Sequence, residues 1–343
     1  MRAARFVGVG HPVELQDLDR PALTGSDDVL VQVAGAGVCR TDLHVLEGVS
    51  PLQPPPPPPF TLGHETAGWV REVGSSVTTV APGDAVLLHP AVSCGLCRSC
   101  RKDAEMQCSR IRFPGLDGSD GGFAEYVRTS IRSVVRVPAG IDLVESAPLA
   151  DAGLTAYHAV RRIRDSLGPG SVVVVVGAGG LGHLGIQFLR ALTPSRIVAV
   201  DLRGELRDAA HRLGAETAYP PEDPHLRDWI RSETGGEGVD AVLDFVAEGD
   251  TPRSSLGLLR RGGTYSIVGY GGTLTVPTVE MVTRELRVLG NFVGTHEDLL
   301  GVLALAGAHQ VRTTVRRYPL NEAPRAIEDL RSGAVVGRAV LTP

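Results

Sequence analysis

Aromatic side chains and clustered charge are both scarce in this chain of 343 residues. Phe, Trp and Tyr make up only 4% of the sequence, which hints at clefts lined by aliphatic side chains. The formal net charge is -5, and the basic residues form no run. Because binding to phosphate backbones requires a positive patch, the sequence predicts no nucleic-acid partner.

Signals for export and for membrane insertion are also missing. No basic start leads into an apolar stretch, so we expect no secretion signal. The most apolar window, from Ser171 to Leu189, is interrupted by glycines and contains His183, which is not typical of a membrane span. We therefore expect a cytoplasmic protein without a membrane partner.

The length predicts about two domains, because single hydrophobic cores stop growing near roughly 250 to 300 residues. About the first 150 residues show short alternating strands separated by Gly and Pro, which indicates an all-β, barrel-like region. From about Gly170, Val-rich strands alternate with helical stretches, as in a parallel sheet with crossover helices. This alternation stops near Val293, and we expect the last segment to rejoin the first domain. The predicted strands are Val29 to Val33, Ala67 to Val73, Ala85 to Leu88, Ala124 to Val127, Val134 to Val137, Val172 to Val176, Ile197 to Val200, Ala241 to Asp244 and Tyr265 to Val268.

Four of the five cysteines have the spacing of a closed tetrahedral zinc site: Cys94, Cys97, Cys100 and Cys108. Two disulfides are the alternative. They are typical of small secreted domains, whereas this chain is long enough to form a core without them. We therefore predict a structural zinc ion, and the fifth cysteine, Cys39, stands apart from it.

The segment VVVVVGAGGLGHLG places Gly177, Gly179 and Gly182 in GxGxxG spacing, directly after a strand and at the start of a helix. These glycines permit a tight turn, close approach to a pyrophosphate and close helix packing. The alternative is a glycine-rich turn that binds no dinucleotide. Asp201, at the end of the next predicted strand, favours dinucleotide binding because its carboxylate can accept hydrogen bonds from a ribose.

Asp201 also bears on the choice between NAD and NADP. Its negative charge would repel the 2'-phosphate of NADP, so the sequence predicts NAD. Arg203 is the opposing signal, since a guanidinium there could pair with that phosphate.

Six consecutive prolines, Pro54 to Pro59, predict an extended left-handed rod about 19 Å long at ~3.1 Å per residue. Such a run is a surface spacer or a ligand for an aromatic groove of a partner. Because the run comes just before His64, we favour a stiff rim beside that residue.

Cys39 in GVCRTDLH and His64 in GHETAG are both suitable metal ligands next to glycines. Their spacing cannot prove that they share a metal. Each residue also has a structural interpretation, Cys39 as a small buried hydrophobe and His64 as a core histidine.

Taken together, the motifs GVCRTD, GHE, the four-cysteine segment, GGFAEYV, APLADAGLTAYHAV, GAGGLG with Asp201, NFVGT and GRAVL resemble the zinc-dependent medium-chain alcohol dehydrogenases over essentially the whole chain. The resemblance implies an α/β protein with a GroES-like β-barrel catalytic domain at 1–152, which includes a structural zinc lobe at 93–109. It further implies a Rossmann NAD-binding domain at 153–292, a return to the catalytic domain at 293–343, and an active site in the cleft between the domains.

The resemblance also implies two zinc ions per chain, with Cys39, His64 and Asp151 as ligands of the catalytic ion. Asp151 departs from the best-known members, which have cysteine at this position, and is similar to bacterial secondary-alcohol dehydrogenases. A carboxylate in place of a thiolate makes the metal a stronger Lewis acid. The alternative for Asp151 is an N-cap of a helix through Ala156 to Arg162.

Further roles follow from the resemblance alone. Asp42 would hold His64, and Glu65 would be the carboxylate near the metal. The proton of the alcohol would leave through the Thr41 hydroxyl, the nicotinamide ribose and His44. Leu206 stands where the family often has a base, so an extra adenosine contact is missing. The remaining cofactor contacts implied by similarity are Arg40, Thr155, Gly180, Leu181, Val268, Phe292 and Arg338, of which Arg40 and Arg338 could also be surface arginines.

We expect an NAD-dependent oxidoreductase that converts alcohols to ketones or aldehydes, with secondary, aryl or medium-sized alcohols favoured. A polyol dehydrogenase, a zinc-free enone reductase and a catalytically idle NAD-binding scaffold are the alternatives. The resemblance also implies a homo-oligomer, either a tetramer or a dimer, built partly through edge strands of the coenzyme domain.

Overall fold

The structure, a computed structural model, describes residues 1–49 and 57–343. These residues form two compact units, Met1–Leu154 with Thr295–Pro343 (unit 1) and Thr155–Gly294 (unit 2). The role predicted for the proline run falls in part on residues 54–56, which lie outside the described residues.

Sixteen strands occur in the described chain. They are β1 (Arg2–Phe6), β2 (Glu14–Asp17), β3 (Asp28–Val38), β4 (Phe60–Thr61), β5 (Glu65–Val73), β6 (Ala85–Leu88), β7 (Tyr126–Ser130), β8 (Val134–Arg136), β9 (Val172–Val176), β10 (Arg196–Val200), β11 (Thr217–Tyr219), β12 (Val239–Asp244), β13 (Leu259–Ile267), β14 (Arg287–Gly290), β15 (Val315–Pro319) and β16 (Arg338–Thr342).

Ten α-helices accompany these strands in the same residues. They are α1 (Arg40–Leu46), α2 (Leu143–Ser146), α3 (Ala152–Arg164), α4 (Gly182–Leu192), α5 (Gly204–Leu213), α6 (Pro224–Glu233), α7 (Thr251–Leu258), α8 (Thr278–Arg284), α9 (His296–Gly307) and α10 (Ala323–Arg331). None of these helices is long and apolar enough to cross a lipid bilayer.

Unit 1 is built around β3, an eleven-residue strand that pairs antiparallel with β5, β7 and β16. The full sheet has the order β15-β16-β3-β5-β6-β8, with β7 on β3, and a second sheet has the order β2-β1-β4. Val29, Leu30 and Val31 of β3 are completely buried, so this strand lies in the core. Two register shifts between β3 and β5 bend the sheet toward a barrel.

Unit 2 contains a six-stranded parallel sheet with the order β11-β10-β9-β12-β13-β14. This is the doubly wound order, in which the first strand of the unit, β9, lies at the centre. All five valines of β9 are buried, as expected for β-branched residues in a strand covered on both faces. The sheet that the sequence predicts for this region is therefore present.

Of the nine predicted strands, only β6 and β9 have the predicted bounds, and three elements show why others differ. β13 begins at Leu259 rather than Tyr265, because Leu259 already pairs with β12. A register shift follows this pair, and the sequence RRGG gives no sign of it. β7 begins at Tyr126, since Ala124 instead forms an isolated bridge with Ala3. α3 begins at Ala152, so the helix predicted from Ala156 starts a turn earlier.

Candidate metal and dinucleotide sites

Cys39 follows the end of β3 and precedes α1, so its side chain is fixed by both elements. The carboxylate Oδ2 of Asp42, a fully buried residue, accepts a hydrogen bond of 2.8 Å from the backbone N–H of Cys39. This bond satisfies a donor at the start of α1 and holds Cys39 in an extended conformation.

His64 stands in the loop between β4 and β5, directly after a tight turn at Gly63. Gly63 has φ +99, and a Cβ there would lie 2.3 Å from Cδ1 of Phe123, so only glycine fits. The imidazole is 2% exposed, with Nδ1 at 3.4 Å from Oδ1 of Asp42 and Nε2 at 3.5 Å from Oδ2 of Asp151. One ring nitrogen thus faces Asp42 and the other faces Asp151.

Cys39, His64, Glu65 and Asp151 each offer one donor atom, and these atoms lie within 4.8 Å of one another. Oε2 of Glu65 is buried without a hydrogen-bond partner in the described part of the chain, and Nε2 of His64 faces the carboxylate of Asp151. Buried polar atoms without partners are costly, and one sulfur, one nitrogen and carboxylate oxygens are ligands that zinc accepts. The donor set therefore fits a zinc ion.

Glu65 forms a buried ion pair with Arg338 of β16, where Nη2 donates to Oε1. The carboxylate of Glu65 lies against β3, and only a glycine at position 37 leaves room for it: a Cβ on Gly37 would come within 2.0 Å of Oε2. Burial raises the pKa of Glu65 despite the charge of Arg338. Burial opposes the charge of Arg338, but Glu65 and Cys39 outweigh it and raise the pKa of the guanidinium.

The structure reveals two properties of this cluster that the sequence does not: the burial of Arg338 and the raised pKa of His64. Arg338 is 3% exposed, so the alternative of a surface arginine is wrong for this residue. Burial lowers the pKa of His64, but the charge of Asp42 and hydrogen bonds to Asp151 and Asp42 raise the pKa well above its usual range. The pocket is thus strongly negative around the imidazole, as a cation site would be.

Arg40, Thr41 and His44 all lie on α1, directly after Cys39. Sγ of Cys39 is 3.7 Å from Oγ1 of Thr41, which places the hydroxyl at the metal donors. Thr41 and His44 are half-buried, whereas Arg40 is exposed. The structure thus brings Thr41 next to the cluster and places His44 one turn further along the same helix.

The second cluster consists of the four cysteines Cys94, Cys97, Cys100 and Cys108, whose sulfurs all lie within 4.8 Å of one another. Distances of 3.4 Å between Cys97 and Cys100 and 3.9 Å between Cys94 and Cys100 are far longer than a disulfide bond. All four are free thiols, and this geometry fits a zinc ion bound by four sulfurs.

The environment differs between these thiols. Backbone N–H groups of Leu96 and Cys97 lower the pKa of Cys94 to about 5. Burial raises the pKa of Cys100 to about 11. Because a zinc ion must displace the remaining protons, its binding at this cluster is linked to pH.

In unit 2, the glycine-rich turn connects β9 to α4. Gly177 has φ +82, and a Cβ on Gly182 would lie 1.7 Å from the carbonyl oxygen of Gly177, so both positions require glycine. Gly179 is different, since the nearest atom to a Cβ there is Cδ1 of Leu206 at 4.0 Å. The open space at Gly179, beside the N-terminus of α4, fits a pyrophosphate group.

Asp201 follows β10 and contacts this turn directly. Its Oδ2 accepts a hydrogen bond of 2.8 Å from the N–H of Ala178, and Oδ1 accepts one of 2.9 Å from the N–H of Arg203. A carboxylate has about four acceptor positions, so Asp201 can still accept hydrogen bonds from ribose hydroxyls. Arg203 lies 3.4 Å from Glu205, which draws its guanidinium toward a second acid.

A base that sequence reasoning missed lies beside Asp201. Leu206 is buried, as its apolar side chain requires, but Nη1 of Arg207 donates to the backbone carbonyls of Asp201 and Leu202 at 2.8 and 2.9 Å. A guanidinium thus lies one residue after position 206, and it bonds to the backbone beside Asp201. The signal was present in the sequence as an arginine on the first turns of α5.

Sequence reasoning also missed the residues that support the glycine-rich turn. Phe245 and Val246, after β12, lie against it: a Cβ on Gly177 would be 2.7 Å from Cγ2 of Val246, and one on Gly182 would be 3.5 Å from Cδ2 of Phe245. The buried carboxylate of Asp244 holds this loop by accepting bonds from the N–H groups of Val246 and Ala247, at 2.9 and 2.8 Å, and from the hydroxyl of Tyr265, at 2.7 Å.

The other predicted cofactor residues of unit 2 occupy varied environments. Gly180 and Leu181 are half-buried in the glycine-rich turn, and Val268 follows β13 with its N–H bonded to the carbonyl of Asp244 at 2.9 Å. Thr155 is 8% exposed on α3, whereas Phe292, after β14, is 46% exposed.

Comparison with known proteins identifies the same two regions. Residues 25–139 match the family described as "Alcohol dehydrogenase GroES-like domain", and residues 180–308 match "Zinc-binding dehydrogenase". The GroES-like part of the predicted fold is thus confirmed together with the doubly wound sheet.

Three similar proteins cover the chain from end to end. A protein of Sulfurisphaera tokodaii named "NAD-dependent alcohol dehydrogenase" is 36% identical and covers 100% of both chains. "D-arabinose 1-dehydrogenase (NADP(+))" of Saccharolobus solfataricus is 33% identical and covers 100% of this chain and 97% of its own. The crystal structure of the alcohol dehydrogenase from Aeropyrum pernix is 42% identical, has a TM-score of 0.95 and covers 100% of both chains.

Proposed function

Because the chain belongs to the zinc-dependent medium-chain alcohol dehydrogenases, we propose that it oxidises secondary, aryl or medium-sized alcohols in the cytoplasm. The chain is an NAD-dependent oxidoreductase that transfers hydride between an alcohol and NAD, and zinc is its metal cofactor. The preference for secondary alcohols rests on Asp151. Its carboxylate makes the metal a stronger Lewis acid than a thiolate at this position would.

We propose Cys39, His64 and Asp151 as the ligands of the catalytic zinc. The observation that carries this assignment is the clustering of their donor atoms within 4.8 Å, although they come from three distant segments of the chain. Glu65 belongs to the same cluster, but Arg338 already engages its carboxylate. Glu65 is therefore the carboxylate near the metal, and Arg338 holds it there.

Zinc, when bound, supplies a Lewis acid that lowers the pKa of the alcohol hydroxyl, and NAD supplies the hydride acceptor. Asp42 faces Nδ1 of His64 and keeps Nε2 directed at the donor cluster. Thr41 places its hydroxyl at Cys39, where it can receive the substrate proton. His44, half-buried on the same helix, passes this proton toward solvent.

Replacement of His44 tests this proton path. His44→Gln should lower alcohol oxidation near neutral pH by about 10²-fold, because a glutamine cannot act as a base. The loss should shrink as pH rises, since hydroxide can then take the proton. Steady-state rates over a pH series, with and without added imidazole, provide the measurement, and imidazole should restore part of the rate.

The matched control is His11→Gln, which changes an exposed histidine of the same unit. Its pH profile should be that of the unchanged enzyme. An unaltered profile for His44→Gln would show that His44 carries no proton in this reaction.

For NAD, we propose that Gly177, Gly179, Gly180, Leu181 and Gly182 bind the pyrophosphate. Asp201 and Arg203 would lie at the adenosine ribose, and Thr155, Val268 and Phe292 near the nicotinamide. Arg40 remains the candidate for a further pyrophosphate contact, because the guanidinium of Arg338 is engaged by Glu65.

The assignment of Asp201 predicts a change in cofactor preference. Asp201→Asn removes the charge that repels a 2'-phosphate and leaves Arg203 to pair with it, so the ratio of kcat/KM for NADP to that for NAD should rise by about tenfold or more. Asp208→Asn, at an exposed acid on the same helix α5, is the control and should leave the ratio unchanged. The same ratio in both variants would contradict the assignment.

A polyol or sugar is the second candidate substrate. The relative from Saccharolobus solfataricus, named for D-arabinose, favours it. A panel of primary, secondary, aryl and polyhydric alcohols, each assayed with NAD, distinguishes the two. The proposal expects the highest kcat/KM on a secondary or aryl alcohol, and a higher value on a polyol would overturn it.

We further propose a homo-oligomer, a tetramer rather than a dimer. Support comes from β14, an edge strand of the parallel sheet, and from α8 beside it in sequence, where Val279 and Val282 are 65% and 73% exposed. Sedimentation equilibrium measures the mass directly. We propose domain bounds of 1–152 with 293–343 for catalysis, including the zinc lobe at 93–109, and 153–292 for the coenzyme.

A further inference from the structure

Asp244 is a completely buried acid at the carboxyl end of β12 in unit 2. Its Oδ1 accepts hydrogen bonds from the N–H groups of Val246 and Ala247, at 2.9 and 2.8 Å. Its Oδ2 accepts one from the hydroxyl of Tyr265 at 2.7 Å and a longer one from Ser255 at 3.4 Å. Because an acid is costly to bury, a site that supplies donors to both of its oxygens is built for it.

The backbone of Asp244 holds a second loop in addition to the one that its side chain holds. Its carbonyl oxygen accepts bonds from the N–H groups of Val268 and Gly269, at 2.9 and 3.0 Å. We call residues 245–250, between β12 and α7, the β12 loop, and residues 268–272, after β13, the β13 loop. A Cβ on Gly269 would lie 2.3 Å from the carbonyl oxygen of Val246, so the two loops touch through their backbones. One residue therefore fixes both loops.

The β12 loop contains a strained residue, Ala247. Its φ is +50, in the left-handed region that is unfavourable for a residue with a Cβ. The N–H of Ala247 donates to Asp244, and its carbonyl accepts a bond of 2.8 Å from the N–H of Gly272 in the β13 loop. Strain of this kind persists only where the surroundings determine the backbone, and it is concentrated at ligand sites.

The two loops lie at the same edge of the sheet as the glycine-rich turn, because β9, β12 and β13 are parallel. The order β11-β10-β9-β12-β13-β14 places Asp201, after β10, on one side of β9 and both loops on the other side. A dinucleotide with its pyrophosphate at the turn after β9 and its adenosine at Asp201 therefore extends its nicotinamide half over the two loops.

We propose that Asp244 is a positioning residue for NAD, which holds the β12 and β13 loops where they meet the nicotinamide half of the coenzyme. The proposal rests on the proposed NAD site and deepens it. Because Asp244 is completely buried, it acts through the loops and does not touch the coenzyme. An acid that only stabilised unit 2 would affect both halves of the dinucleotide alike.

The test compares NAD with AMP in the full-length enzyme, since AMP occupies the adenosine site and has no nicotinamide. Asp244→Ala should lower kcat/KM for NAD by about 10²-fold, because a displacement of about 1 Å at a positioning group can cost that much. The inhibition constant of AMP, measured in competition with NAD, should not change. Steady-state kinetics at a saturating alcohol provide both values, and metal analysis should find the zinc content of the unchanged enzyme.

Two further variants make the comparison specific. Asp244→Asn keeps an amide oxygen that can accept the bonds from Val246 and Ala247, so it should recover most of kcat/KM for NAD. Asp240→Ala is the matched control at the opposite end of β12. Asp240 also accepts a backbone bond, of 2.8 Å from the N–H of Val172, but it holds neither loop. This control should leave kcat/KM for NAD unchanged.

Equal values of kcat/KM for NAD in Asp244→Ala and the unchanged enzyme would overturn the proposal. An equal weakening of AMP, or an equal loss in Asp240→Ala, would also overturn it, since either result indicates general damage to the sheet. If Asp244→Ala fails to fold, Tyr265→Phe decides the question. It keeps the buried ring and removes one bond to the carboxylate, so kcat/KM for NAD should fall about tenfold with AMP unaffected. An unchanged value in Tyr265→Phe would then refute the proposal.

Failure of the proposed NAD site would look different. An unchanged cofactor ratio in Asp201→Asn would contradict the ribose assignment, whereas the variants of Asp244 would still differ from the unchanged enzyme in kcat/KM for NAD. Conversely, a shifted ratio in Asp201→Asn together with full activity of Asp244→Ala would leave the NAD site in place and refute the role of Asp244 alone.

Discussion

Asp151→Ala is expected to remove one zinc ion per chain and to lower kcat/KM for alcohol oxidation by at least about 10²-fold. The carboxylate of Asp151 lies 3.5 Å from Nε2 of His64, within the donor cluster. Its loss would leave the ion with Cys39, His64 and a glutamate that Arg338 already engages. Metal analysis of the purified variant, together with steady-state kinetics, provides the measurement.

Two other substitutions sharpen this result. Asp151→Cys supplies a thiolate, so it should keep both zinc ions and part of the activity, with a weaker Lewis acid. Glu65→Gln can still accept the bond from Arg338 and should also keep both ions. Retention of two ions by Asp151→Ala, or loss of one by Glu65→Gln, would show that Glu65 rather than Asp151 is the ligand.

The second large effect is expected on stability. Cys97→Ser should remove the structural zinc, a kind of site that contributes roughly 10–16 kcal/mol in small peptides. If loss of the zinc lowers the free energy of unfolding of unit 1 by only about 4 kcal/mol, the Tm of this unit should fall by on the order of 10 °C. Thermal unfolding followed by circular dichroism, with light scattering to detect aggregation, measures the change.

The loss should extend beyond the lobe itself. Oε1 of Glu105, near Cys108, accepts a bond of 2.5 Å from the N–H of His296 at the start of α9, so a loosened lobe also leaves that helix without this partner. Cys39→Ser is the control, since it alters the other cluster and should lower Tm by only a few degrees. Equal Tm values for Cys97→Ser and the unchanged protein would contradict a stabilising zinc at this lobe.

Much of the fold could be read from local sequence. Five consecutive valines predict a buried strand, and β9 has those bounds. The cysteine spacing likewise predicts a cluster whose sulfurs the structure places together, because turns of this type bring nearby sulfurs to one point. In both cases the contacts join residues that are close in the chain.

Contacts between distant residues could not be predicted in this way. Glu65 and Arg338 are separated by 273 positions, and no local pattern connects them. The same holds for Asp244 and Tyr265, which belong to neighbouring strands of the parallel sheet. Only the family resemblance places Asp151 at the metal, since its position before α3 equally suits a helix cap.

The position of Arg338 in the final strand has a consequence for how the protein is made. β16 pairs with β3, yet the ribosome must synthesise all of unit 2 before it reaches this strand. Until then, a nascent chain holds Glu65 without its guanidinium and β3 without one of its neighbours. The surroundings of Glu65 are therefore completed only after unit 2 has been synthesised, and a polypeptide that stops before β16 contains unit 2 but leaves Glu65 without its ion-pair partner.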